Sequence, residues 1–136
     1  MQRIKSPRTD DASIEQEIQA KGLNAPRITP DDIESNIASE HYFTAGEAVS
    51  GRALIRTMEN GGVIFAADAA LPPLSLNLLT FCVIVLSNGF TVTGESACAS
   101  PENFDAEVGR KIARQNAINK VWPLMGYELR SRLAKA

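Results

Sequence analysis

The sequence predicts an α+β fold: an antiparallel β-hairpin or small sheet packed with a long C-terminal helix and short N-terminal helices. Three observations predict it. Two β-rich runs, Thr80 to Ser87 and Phe90 to Ala97, flank Asn88-Gly89, a dipeptide suited to a two-residue type I′ turn. From Ser100-Pro101-Glu102 to Trp122 the apolar residues recur at helical spacing. Upstream, Thr29-Pro30 and Thr44-Ala45-Gly46-Glu47 carry helix-start chemistry. A length of 136 residues with 44% hydrophobic and 22% charged residues suits a single folded domain over 11–136, preceded by a flexible basic tail over 1–10.

Taken in order, Asp11 to Lys21 predicts a short helix with Ile14 and Ile18 one turn apart and Gly22 as its stop. Thr29 caps a second helix with proline at its first position and acids in its first turn, carrying Ile33 and Ile37. A third helix follows the Thr44 box and stops at Asn60-Gly61-Gly62, with Val49, Leu54, Ile55 and Met58 expected inside. Val63-Ile64-Phe65 fits a short strand, and Leu71-Pro72-Pro73 forces an extended connector.

A two-residue turn at Asn88-Gly89 pairs Ser87 with Phe90, Val85 with Val92, Val83 with Gly94 and Cys82 with Glu95. Phe81, Val83, Val85, Phe90 and Val92 then form the core face, and the face of Cys82, Ile84 and Leu86 is semi-polar. A strand apolar on both faces is normally central. Either a third strand or a second copy must complete the sheet, and a homodimer is the favoured expectation.

On the last helix Phe104, Val108, Ile112, Ile118 and Trp122 share one broad face, and Pro123 is expected to bend or end it. Gln115 and Asn119 fall within that stripe, so they need partners. Backbone carbonyls or a symmetry mate would serve; so would the polar edges of a base or ribose. Arg110 and Arg114 lie one turn apart, a spacing that suits either a phosphate between two guanidinium forks or two solvated side chains.

Several function classes are excluded by pattern. The longest apolar run, Leu78 to Leu86, contains Thr80 and falls well short of the roughly 20 residues of a membrane span. The basic start lacks the hydrophobic core of a secretory signal, which places the protein in the cytoplasm with reduced Cys82 and Cys98. His41 is the sole histidine, with no second ligand in a metal spacing. No nucleophile elbow, P-loop or dinucleotide fingerprint is present, so the expectation is a binding protein rather than an enzyme, with no catalytic residue, metal or cofactor. Residues 1–104 carry seven Lys/Arg against thirteen Asp/Glu, and residues 105–136 carry seven against three, so the basic C-terminal helix is where an anionic partner would go. That excess is small for a nucleic-acid footprint.

One resemblance adds to this reading. Leu79-Thr80-Phe81-Cys82 through Ser87-Asn88-Gly89-Phe90-Thr91-Val92-Thr93-Gly94-Glu95-Ser96, then Ser100 to Asp105, then Gly109-Arg110-Lys111 through Ala117-Ile118-Asn119-Lys120-Val121-Trp122-Pro123, resemble a family of small tailed-phage and prophage proteins over about Arg27 to Leu133. The chain is also similar to the first type of Thoeris anti-defence protein, a sponge for the cyclic ADP-ribose signal of bacterial TIR enzymes. That resemblance implies a homo-oligomer in the infected host cell that binds the messenger without cleaving it, some relatives holding cyclic oligonucleotides as well. The candidate ligand residues it implies are Asn88, Phe90, Asn103, Phe104, Arg110, Arg114, Asn116 and Asn119. Ala48 to Pro73 matches least, and contacts from Arg52 or Arg56 have no support there. The alternative is a phage early protein that binds a host protein or nucleic acid through the basic helix.

Overall fold

The computed structural model describes residues 9–136, so the expected tail lies, but for its last two residues, outside the described part. The chain divides into two compact units, one of Ile37–Val121 and one of Met1–Asn36 with Trp122–Ala136. Among the described residues no helix is long and apolar enough to cross a membrane.

In the terminal unit, α1 spans Asp11–Ala20, with Asp10 as its cap and Gly22 in the left-handed conformation beyond its end. Helix α2, Pro30–Ser35, has the full capping box: Thr29 accepts from the Asp32 amide, and the Asp32 carboxylate accepts from the Thr29 amide. Ile33 is its buried residue. The Arg27 guanidinium donates to both carboxylate oxygens of Glu15, Nη2 to Oε2 at 2.7 Å. This pairing holds the Glu15 carboxyl down at about 2.

The sheet unit contains a strand that the sequence reading assigned in part to helix. Ile37 does not continue α2; it opens β1, Ile37–Thr44. Helical spacing of two isoleucines is also strand-compatible when a β-rich His-Tyr-Phe-Thr run follows, and tertiary pairing decides between the two. Strand β1 pairs antiparallel with β2, Leu79–Leu86, which pairs with β3, Thr91–Ala97, in the order β1-β2-β3. The central strand thus has its second partner within the chain, and the sheet gives no reason of its own for a second copy.

The hairpin register is one residue away from the expected one. Val85 pairs with Thr91, Ile84 with Val92, Val83 with Thr93, Cys82 with Gly94 and Phe81 with Glu95. The loop is three residues, Ser87-Asn88-Gly89: the Gly89 amide donates to the Leu86 carbonyl, and the Leu86 amide to the Phe90 carbonyl. A type I′ turn needs positive φ at two residues, but here Gly89 alone takes it, at φ 89°, and Asn88 stays in the ordinary region. That is the geometry of a type I turn closed by a glycine bulge. A slip of one position exchanges the faces of the partner strand. The buried face is therefore Thr80, Cys82, Ile84 and Leu86 with Val92 and Gly94, whereas Phe81, Val83 and Val85 are half-buried and Phe90 is exposed.

Helix α4, Ala106–Lys135, runs on through Pro123 instead of ending there. It begins later than Ser100, because Pro101–Asn103 forms a 3-10 turn and the Asp105 carboxylate, not the Ser100 hydroxyl, caps the first turn by accepting from the Val108 amide at 2.9 Å. In the sheet unit its buried residues are small, Gly109, Ala113 and Ala117, followed by Ile118 and Val121. They fit against the sheet at Gly94, where an added Cβ would land on the Ala113 carbonyl oxygen and the Ala117 amide nitrogen. The expected apolar face is rotated accordingly. Val108 and Ile112 point outward, and Gln115 and Asn119 are exposed and bond each other at 2.9 Å.

Helix α3, Ala45–Glu59, starts at the Thr44 cap and stops at Gly61 and Gly62 as expected. Its orientation is not the expected one: Val49, Leu54, Ile55 and Met58 are exposed. Val63-Ile64-Phe65 forms no strand, and the ion pair between Arg56 and Asp68 ties the following 3-10 turn, Ala66–Asp68, to α3.

Candidate functional site

The end of β1, the first turn of α3, the start of β2 and the start of α4 meet around a cleft of about 140 Å³. Its walls are Tyr42, Phe43 and Thr44 of β1, Glu47 of α3, Thr80 of β2, and Phe104, Ala106 and Arg110. The sequence places these groups for local reasons. Thr44 must end β1 because its hydroxyl caps α3 by accepting from the Glu47 amide at 3.1 Å, which sets Glu47 in the first turn. Alternation along β1 sends Tyr42 and Phe43 to opposite faces of the sheet. Phe43 stacks on Phe81 across the pair, with ring centroids 5.6 Å apart. Gly109 lets α4 come close at the cleft floor: an added Cβ would stand 3.1 Å from the buried Thr80 hydroxyl and 3.9 Å from the Phe104 ring.

Behind the cleft lies a polar network. Arg114 donates to one oxygen of Glu40 from Nε at 2.9 Å, and lies 2.8 Å from it through Nη2. Tyr42 donates its hydroxyl to the other oxygen at 2.8 Å. The Arg114 bonds hold the Glu40 carboxyl below its ordinary range. Burial, aided by the bond to Glu40, pushes the Tyr42 phenol up, so it remains a donor at any physiological pH. Cys82, directly across from Tyr42 in the register, is also pushed up by burial and remains a thiol.

The eight candidate residues separate into distinct places. Phe104 and Arg110 line the cleft, and Arg110 has no ion-pair partner among the described residues. Arg114, one turn on, is bonded to Glu40, so the two guanidiniums stand in different surroundings. Asn103 is exposed in the 3-10 turn before Phe104. Asn88 and Phe90 are at the far end of β2, where the Asn88 side-chain Oδ1 accepts from the Phe90 amide at 2.9 Å and shapes the turn. Asn116 donates to the Glu95 carbonyl of β3 at 2.7 Å, and Asn119 accepts from Gln115. Tyr42, Phe43, Thr44, Glu47 and Thr80 are cleft residues that the sequence alone did not mark as ligand candidates, although Thr44 and Glu47 are legible there as a helix cap. The signal present was His41-Tyr42-Phe43-Thr44, a β-rich run directly before a capping box.

Residues 28–133 match the Phage protein (N4 Gp49/phage Sf6 gene 66) family. The chain belongs to that phage protein family. No curated protein matches it, and no solved structure does. The match covers the whole sheet unit, so every residue of the cleft in this phage protein lies within the family region. Among its described residues no group of three or more His, Cys, Asp or Glu side chains is placed to hold a metal ion.

Proposed function

We propose that this phage protein is an anti-defence protein that binds a nucleotide immune signal of the cyclic ADP-ribose type, or a cyclic oligonucleotide, and sequesters it uncleaved. The observation that carries the reading is Arg110, a guanidinium with no ion-pair partner among the described residues, at a cleft walled by Tyr42, Phe43 and Phe104. A guanidinium fork suits a phosphate oxygen pair, an aromatic ring suits the face of a purine, and Glu47 with the Thr44 and Thr80 hydroxyls suits ribose hydroxyls. The resemblance to the Thoeris anti-defence protein supports the same class of ligand, and the family membership supports a phage origin. A cleft of about 140 Å³ takes one moiety of such a ligand, with the remainder outside it.

The test is recovery. Incubation with a cyclic ADP-ribose isomer should deplete it from solution, and heat denaturation of the protein should return it intact; a linear or hydrolysed product would replace the sponge with an enzyme. The nucleic-acid alternative gains little from the helix charge. Glu107 and Glu128, which pair with Lys111 and Arg132, are already counted against that charge, and Glu40 of β1 offsets Arg114 as well.

A further inference from the structure

We infer that the terminal unit carries a second binding site, a cavity that takes a small amine: a primary ammonium on an apolar body the size of a single ring. The cavity measures about 250 Å³, and none of the residues that line it lines the cleft of the sheet unit. Its apolar walls are Ile14 and Ile18 of α1 with Ile28, Pro30 and Trp122. Ile14 and Ile18 lie one helical turn apart, yet α1 has no buried residue, so the two side chains line the space without closing it. Water between such walls finds few hydrogen-bond partners, and an apolar body displaces it at little cost. The volume falls below the roughly 300–1,000 Å³ of pockets for drug-sized ligands, which suits one ring on a short chain.

The charged groups of the wall set the charge of the ligand. Both are carboxylates, Asp11 and Glu15. Glu15 is engaged by the Arg27 guanidinium through both of its oxygens. Asp11 has no ion-pair partner among the described residues; its Oδ2 accepts from the Trp122 indole N–H at 3.3 Å, which leaves Oδ1 open. An acid in the first turn is favoured by the helix dipole, which accounts for a carboxylate beside an apolar cavity but supplies it with no counter-ion. A guanidinium would ask for both oxygens of one carboxylate, and Oδ2 is already taken; an ammonium needs only the open one. The indole beside it attracts a cation as well.

Trp122 is the only tryptophan of the chain, so its fluorescence reports on this cavity. The full chain is titrated at neutral pH with phenethylammonium, with its neutral isostere phenethyl alcohol and with phenylacetate. The ammonium should give a saturable change, the alcohol should bind on the order of tenfold more weakly for want of the charge-assisted bond, and the anion more weakly still. Asp11→Asn keeps an oxygen for the indole N–H and removes the charge, so it should bring the ammonium down to the level of the alcohol with unchanged far-ultraviolet circular dichroism. Ile18→Phe, which fills the cavity, should abolish the binding of both. No saturable change with the ammonium, or equal binding of ammonium and alcohol by the wild type, overturns the site, as does an ammonium preference that survives Asp11→Asn. Phenylalanyl-glycyl-glycine sets the same ring and ammonium on a peptide, and tighter binding of it than of the free amine overturns the small amine as the ligand.

Discussion

At the scale of single residues, the two arginines one turn apart separate the cost of binding from the cost of folding. Arg110 faces the cleft without an ion-pair partner among the described residues, whereas Arg114 is bonded to Glu40. Arg110→Ala should therefore abolish the nucleotide-induced rise in melting temperature while leaving the melting temperature of the free protein nearly unchanged. Arg114→Ala should instead lower the stability of the free protein by about 1–2 kcal/mol in urea denaturation, because it removes charge-assisted hydrogen bonds from a part-buried carboxylate. If the nucleotide shift survives Arg110→Ala, the cleft is not the site. The spacing of the arginines was legible in the sequence. Their difference was not, since it depends on Glu40, 74 positions away and on a strand.

At the scale of elements, two glycines fix how the sheet unit closes. Gly89 holds φ 89° at the hairpin bulge, so Gly89→Ala should cost about 1 kcal/mol or more without altering the fold. Gly94 is the stricter case, because an added Cβ would strike backbone atoms of α4 that cannot rotate away. Gly94→Ala should cost about 3 kcal/mol or more, and unfolding of this variant at wild-type urea concentrations would show that α4 does not rest on β3 there. Helix starts and stops were readable from Thr29, Thr44, Gly22 and Gly61, because capping is chemistry among neighbours in sequence. Which way each helix faces was not, and both α3 and α4 are turned from the orientation their apolar spacing suggested. On α4 it is the small residues Gly109, Ala113 and Ala117 that face the sheet, since they allow the closest approach.

At the scale of the whole molecule, each unit is tied by one carboxylate held low by an arginine, Glu15 by Arg27 and Glu40 by Arg114. A carboxyl whose folded pKa is depressed contributes stability above its unfolded value and loses it as pH falls through the folded one. For Glu15 that window runs from 4.5 down to about 2. The melting temperature should fall on acidification below that upper value, and Glu15→Gln and Glu40→Gln should each flatten the fall; parallel curves for wild type and variants would show that neither pairing contributes.

By itself the sequence determined the α+β class, the Thr29 and Thr44 caps, the hairpin, the long C-terminal helix and the phage family, all of which rest on local chemistry or on contiguous motifs. The tertiary structure alone decided the third strand, the hairpin register and the face that is buried. Those depend on which distant segments pair, and in a β-ladder a shift of a single residue exchanges inside for outside. The cleft follows from the same decision: Tyr42, Phe43 and Glu47 reach Phe104 and Arg110 only because β1 pairs with β2.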